Sequence, residues 1–155
     1  MGLSINISYI YRNPNNSLSR PQRLGATPAH IAAQNGYTGM VQLLHEIGAD
    51  VHRTRNDGIR GIHVAAIDGR RETVELLLHL RSDVDPSGIA ETPLMYACTE
   101  DRFDVVSLLI SAKCDVNRNS SLQGATATDF CLSRCPKGRS LSILQSNGGV
   151  SGLGR

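Results

Sequence analysis

The chain has no tryptophan, and phenylalanine and tyrosine bring the aromatic share to only 4% of its 155 residues. A core without large rings must be filled by Leu, Ile, Val and Ala, which suits thin layers of short helices. No run of about 18 apolar residues occurs, which excludes a membrane-spanning helix. The opening MGLSINISYIYR lacks a positive leading segment and a long apolar stretch, so no secretory signal is read there. Asn6 stands where a myristoylation signal needs Ser or Thr. Without an export signal, the Asn-x-Ser triplets at Asn6, Asn15 and Asn119 carry no weight, and the four cysteines read as reduced thiols. No G-x-S-x-G, H-E-x-x-H or G-x-x-x-x-G-K-[ST] motif is found. GGVSGLG at 148–154 has the composition of a phosphate loop but no helix behind it, so it reads as a tail.

What is there is globular in composition, 40% hydrophobic and 19% charged, and of one-domain length. The net charge of +2 hides an asymmetry. Residues 1–23 carry Arg12, Arg20 and Arg23 and no acid, and residues 133–155 carry Arg134, Lys137, Arg139 and Arg155 and no acid. The body, 24–132, has 9 basic against 14 acidic residues. Basic ends suit phosphate, but these charges are split between two termini around an acidic body, so no nucleic acid is expected. Arg139-Ser140-Leu141-Ser142 has the pattern of a kinase site.

The chain also repeats itself. GATPAHIAAQNG (25–36) matches GIRGIHVAAIDG (58–69) at a shift of 33, and ETPLMYACTED (91–101) follows after a further 32. The second halves repeat as MVQLLHEIGADV (40–51), TVELLLHLRSDV (73–84) and VVSLLISAKCDV (105–116), with Asp50, Asp83 and Asp115 in phase. A degenerate fourth copy starts at GATATDFCLS (124–133) and ends near LSILQSNGG (141–149). Thr27 and Thr92 are N-caps, and Pro28 and Pro93 stand in the first helical turn, where a missing N–H costs nothing. Ala32, Ala33, Ala65, Ala66 and Ala97 are small enough for neighbouring helices to approach closely. Gly36 and Gly69 end the first helix at positive φ. Met40-Val41-x-Leu43-Leu44 gives a second helix one apolar face. Each unit is helix, turn, helix and loop, and stacking alone makes its core continuous.

This period, with T-P-L-H-x-A-like and G-A-D-V segments, resembles the ankyrin repeat over residues 24–148. The resemblance implies an all-α fold: an ankyrin-repeat solenoid of stacked helix-turn-helix units with projecting loops. The units run 24–54, 55–85, 86–117 and 118–148, about three and a half repeats. Residues 1–23 show no repeat match and are expected to be a poorly ordered basic segment; 149–155 are expected to be a flexible Gly-rich tail. His30 and His63 take the family's structural histidine position. Cys98, Cys131 and Cys114 replace alanines and read as small buried hydrophobes. Cys131 and Cys135, spaced C-x3-C, lack a second Cys/His pair, so no metal is expected. Arg60-Gly61 replaces Thr-Pro in the second copy, with an expected cost of roughly 1–2 kcal/mol.

By the same resemblance, the function is a non-enzymatic protein-protein interaction module: an adaptor, scaffold or inhibitor. It implies no catalytic residue and no cofactor, a protein partner, no membrane insertion, a monomer, and a cytoplasmic or nuclear location. The alternative is a fragment or targeting segment of a larger multidomain protein, an enzyme among the possibilities. The family's partners contact loop tips and the concave face of the first helices. Carried over by phase, the loop set is Arg53, Thr54, Arg55, Asn56, Asp57 and Ile59, then Ser87, Ile89 and Glu91, then Asn119, Leu122 and Gln123. The helix set is Gln34 and Asn35, Ile67 and Asp68, Thr99 and Glu100, Ser133 and Arg134. Ile59, Ile67 and Ile89 are expected to be exposed and to form an apolar patch. Asp57, Asp68, Glu91 and Glu100 would suit a partner segment that is basic or of mixed charge.

Overall fold

A computed structural model describes residues 25–88, 91–120 and 124–153. Ile89, Leu122, Gln123 and the segment 1–23 lie outside the described residues.

Among the described residues there are eight helices and no strand. They come in four pairs: α1 (Pro28–Asn35) with α2 (Thr38–Glu46), α3 (Gly61–Ile67) with α4 (Arg71–His79), α5 (Pro93–Thr99) with α6 (Phe103–Ser111), and α7 (Ala127–Arg134) with α8 (Arg139–Ser146). The first helices stack in the order α1, α3, α5, α7, and the second helices in the order α2, α4, α6, α8. Two layers result, with the core between them.

The small residues set the first layer's spacing. Ala32, Ala33, Ala65, Ala66, Ala97, Cys98 and Cys131 are all buried there. Ile62, Leu77, Leu94, Met95, Leu109 and Leu144 fill the space between the layers. The cysteines at alanine positions are packed in the core, as the repeat phase implies. Hydrogen bonding with Cys131, and burial, push the Cys98 thiol above its ordinary range. Burial pushes the Cys114 thiol up to about 12. Neither is a ready nucleophile.

Helix starts follow the predicted chemistry. The Thr92 hydroxyl accepts the Met95 N–H at 3.3 Å. At Thr27 the cap runs the other way as well: Nδ1 of His30 accepts the Thr27 N–H at 3.2 Å. Arg60 lacks a capping hydroxyl, yet Nδ1 of His63 accepts its N–H at 3.0 Å. The Thr-Pro replacement thus removes the hydroxyl half of the cap and leaves the histidine half in place. In the last pair Asp129 plays this part, accepting from the Thr126 N–H at 2.8 Å and the Thr126 hydroxyl at 3.1 Å.

The in-phase aspartates have one shared job. Oδ1 of Asp50, Asp83 and Asp115 accepts the amide two residues on, His52, Asp85 and Asn117, each at 3.0 Å. These Asx turns start the loop that leaves each second helix.

Two expectations need correction. The part of the tail within the described residues is tied down: Val150 N–H donates to Asn117 Oδ1 at 2.9 Å, Gly152 N–H donates to Asp129 Oδ2 at 2.8 Å, and the Ser151 hydroxyl bonds Asp129 Oδ1. The reason is a buried carboxylate at the start of α7 with lone pairs left over after capping. Burial works against its charge, but bonds from Ser151, Thr126 and Gly152 hold its pKa below the usual value. The kinase-like pattern is corrected in part. Ser140 is fully buried, while Ser142 is exposed.

Candidate interaction face

Seven of the sequence-chosen residues end the first helices. Gln34 and Asn35 lie at the end of α1, Ile67 and Asp68 at α3, Thr99 and Glu100 at α5, and Arg134 at α7. Stacking of these helices in order gathers the ends into one column. Two arginines span it. Arg70 Nε donates to the Gln34 carbonyl and Arg102 Nε to the Ile67 carbonyl, both at 3.0 Å. Each arginine lies across the glycine that ends the preceding helix. A Cβ on Gly36 would sit 2.9 Å from Arg70 Cδ, and one on Gly69 would sit 2.9 Å from Arg102 Cδ. Both glycines have positive φ, 75° and 68°. Handedness and room both favour glycine there, although Asp101 takes the same position in the third repeat at φ 48°.

Not every side chain of the column projects. Asn35 Nδ2 turns back to the Ile31 carbonyl at 2.8 Å, and the Thr99 hydroxyl turns back to Met95 at 3.0 Å. Glu100 faces Arg134 at 3.7 Å, an exposed pair of little energetic weight. Asp68 makes no side-chain hydrogen bond or ion pair among the described residues. Gln34 and Arg134 are exposed.

Arg53, Arg55, Asn56, Asp57 and Ile59 form the first loop tip. The Arg55 N–H donates to the Ile59 carbonyl at 2.7 Å, closing a tight turn. Arg55 clamps Asp57 through two bonds, Nε to Oδ1 at 3.2 Å and a terminal guanidinium nitrogen to Oδ2 at 2.6 Å. Burial opposes the charge on Asp57, but Arg55 and the Ile59 amide outweigh it and lower its pKa. Asp57 is therefore a structural anion, already neutralised, and not a free acid for a partner. Arg53 and Asn56 remain exposed at the tip.

Ile59 corrects the apolar patch. Instead of projecting, it packs against the edge of the core. Its carbonyl accepts from Nε2 of His30 at 3.3 Å. Nδ1 of His30 is occupied as an acceptor by Thr27, so Nε2 carries the proton. One histidine thereby caps its own helix and positions the next loop. Burial lowers its pKa, which favours the neutral ring that can do both. His63 repeats the cap at the second junction through Nδ1, but its buried Nε2 has no hydrogen-bond partner among the described residues. Burial, with the Arg60 charge behind it, pushes its pKa down to about 4. Its ring meets Tyr96 edge-on at 5.9 Å. Glu91 lies beside this pair, with Tyr96 O–H reaching its carboxylate at 3.5 Å. Ile67 is half-buried at the end of α3.

The arginine clamps escaped the sequence reading, although Arg70 and Arg102 stand in phase just after the helix ends. Asp101 escaped it too. Its carboxylate accepts the Ser140 N–H at 3.1 Å and so caps α8 from the preceding repeat. A Cβ on Gly138 would stand 2.6 Å from that carboxylate oxygen, so the glycine admits it.

A shallow groove of about 290 Å³ lies in the other layer, between α4 and α6. Glu75, Leu78 and His79 line it from one side, and Leu108, Ser111 and Ala112 from the other. Among the described residues no three His, Cys, Asp or Glu side chains gather as a metal site, and no helix is long and apolar enough to cross a membrane.

Three overlapping stretches, residues 6–87, 29–120 and 62–137, match the family model described as ankyrin repeats in three copies. The first match starts at residue 6. A probable E3 ubiquitin-protein ligase of Oryza sativa subsp. japonica is 32% identical over 111 residues, 67% of this chain and 21% of that protein. An ankyrin repeat and KH domain-containing protein of Caenorhabditis elegans is 34% identical over 137 residues, 70% of this chain and 5% of that protein. A potassium channel of Oryza sativa subsp. indica is 34% identical over 86 residues, 55% of this chain and 9% of the channel. The chain thus spans 21% or less of the length of these relatives. A match that runs through most of the sequence, at the period along which the helices stack, makes this chain a member of the ankyrin repeat family.

Proposed function

We propose that this chain is a non-enzymatic adaptor, scaffold or inhibitor that holds a protein partner on the column of first-helix ends and the loop tip beside it. Ankyrin repeats are protein-interaction modules, which supports the class. One observation carries the choice of face. The positions that differ from copy to copy, Gln34, Ile67, Asp68, Thr99, Glu100 and Arg134, share one column, while the recurring positions are buried beneath it. The column holds acids (Asp68, Glu100) and a base (Arg134), with Arg53 exposed at the nearby tip. With Asp57 neutralised by Arg55, a partner segment of mixed charge with an apolar anchor fits better than a purely basic one.

The test is proximity labelling in the native cell with three proteins: wild type, Asp68→Lys/Glu100→Lys, and Glu75→Lys/Ser111→Lys in the other layer. Far-UV circular dichroism first establishes equal helicity. Loss of specific neighbours from the first variant alone supports the face. Identical lists from all three refute it.

A second reading has its own support. In the relatives the matched stretch is a minor part of a longer protein, a ligase or a channel by name. On this reading the chain is the targeting or regulatory segment of such a protein. An immunoblot of the endogenous polypeptide decides it: migration far above 16.7 kDa supports the segment reading, and migration at that mass refutes it.

A further inference from the structure

Two cysteines face each other across the last junction of the first-helix layer, Cys98 on α5 and Cys131 on α7. In phase, their positions belong to Ala66 and Ala97 one junction earlier, and to Ala33 and Ala65 at the first. All six side chains are 0% exposed. Alanine on both sides satisfies the packing at two junctions. At the third, both members of the pair have become cysteine.

The two residues are in contact. Cys131 Sγ donates to the Cys98 carbonyl at 3.9 Å. The Cys98 thiol in turn bonds the Cys131 sulfur. That bond holds the Cys131 pKa below its usual value although burial works the other way, which makes Cys131 the more reactive of the two. The other cysteines stand elsewhere. Cys114 follows the end of α6, and Cys135 is the C-cap of α7. Among the described residues no third Cys, His, Asp or Glu joins the pair, so it lacks the further ligands of a thiolate metal centre. What two adjoining thiols can do without such ligands is form a bond to each other.

We propose that Cys98 and Cys131 are a reversible modification site, at which a hydroperoxide converts the two thiols into a disulfide that fastens α7 to α5. The Cys131 sulfur attacks one peroxide oxygen. The O–O bond breaks, the departing oxygen takes the thiol proton and leaves as water, and Cys131 becomes a sulfenic acid. The Cys98 sulfur then attacks the Cys131 sulfur. An S–S bond forms, the S–O bond breaks, and the hydroxide takes the Cys98 proton as a second water. Two electrons have passed from the sulfurs to the peroxide. A dithiol reverses the change by exchange, closing to its own disulfide as both cysteines regain their protons.

Neither sulfur touches solvent, so the oxidant enters only when α7 and α8 part from the stack. The disulfide joins residues 33 apart and removes that freedom. It also fixes the spacing of Glu100, which ends α5, and Arg134, which ends α7.

The experiment treats the folded 155-residue chain with hydrogen peroxide, blocks remaining thiols with N-ethylmaleimide and digests with trypsin without reduction. Trypsin leaves the four cysteines in separate peptides, 82–102, 114–118, 119–134 and 135–137. The expected product links 82–102 to 119–134, at a yield independent of protein concentration, and disappears with dithiothreitol. A link from 119–134 to 135–137, links between two copies, or Cys98 and Cys131 both left blocked and unlinked would each overturn the proposal. Urea unfolding gives a second reading. The oxidised wild type should unfold at a higher midpoint than the reduced. Cys98→Ala and Cys131→Ala, which carry the residue of the other junctions, should show no such rise after peroxide. An oxidised wild type with an equal or lower midpoint, or the same rise in either variant, would mean that the two sulfurs do not join in the native stack.

Discussion

Lowering the pH from about 7.5 to about 5 is expected to remove roughly 2 kcal/mol of stability through His63 alone. In the unfolded chain this ring has the ordinary value of 6.5; in the folded chain burial, then the Arg60 charge, bring it down to about 4. The folded state needs a lone pair on Nδ1 to accept the Arg60 N–H, and a protonated ring has none. Between pH 4 and 6.5 the unfolded chain binds a proton that the folded chain refuses. Stability from this group is therefore full above the unfolded value and falls as pH drops. The loss levels off below the folded value at roughly 3 kcal/mol. The groups facing the ring are Arg60, Glu91, Tyr96 and His30. His30 is shifted the same way and adds to the loss. Asp57 and Asp129 have lowered values, so their contributions stand above pH 3.8 and fail only below it, outside this window. His63→Gln isolates the effect, because a glutamine at the third helical position can accept the same N–H and does not titrate. Urea unfolding followed by circular dichroism at the two pH values gives the loss for each protein, and His30 cancels in the comparison. The wild type should lose about 2 kcal/mol more than the variant. Equal losses would show that burial of His63 does not control its protonation, and the reasoning would fail.

Asp129→Ala should cost roughly 2–4 kcal/mol in urea unfolding, since it strips a helix cap and leaves buried donors from Thr126 and Gly152 without an acceptor. Amide exchange at residues 150–152 should speed up in the same variant, and unchanged exchange would contradict the tie to α7. Gly36→Ala should cost about 1–2 kcal/mol for its left-handed backbone and more for the push on Arg70. Gly39→Ala meets no atom within 4 Å inside α2, and its melting temperature should rise, by roughly 0.5–1 kcal/mol of stability. Leu94→Ala in the core should cost roughly 2–5 kcal/mol.

The sequence by itself determined the period, and with it the architecture. Small residues recur at intervals of 32 to 34, the helix-ending Gly36 and Gly69 stand 33 apart, Pro28 and Pro93 stand two periods apart, and a helix pair that cannot bury its own face must stack. Residues that repeat serve nearest neighbours, so their roles follow from phase alone: Thr27 and Thr92 as caps, Gly36 and Gly69 at positive φ, the alanines between helices. Only the tertiary structure decided what falls outside the period. Ile59 looked like a contact residue because no framework role demanded it, yet the turn closed by Arg55 and His30 tucks it against the core. Asp57 looked like a charge offered to a partner, and Arg55 two residues away had already taken it. Arg70, Arg102 and Asp101 act across repeat boundaries, and Asp129 ties the tail to the last repeat, through distances that a linear pattern does not carry. Backbone geometry repeats because sterics and packing are the same in each unit. The direction of a long polar side chain is settled by the particular donors and acceptors that the next repeat brings within reach.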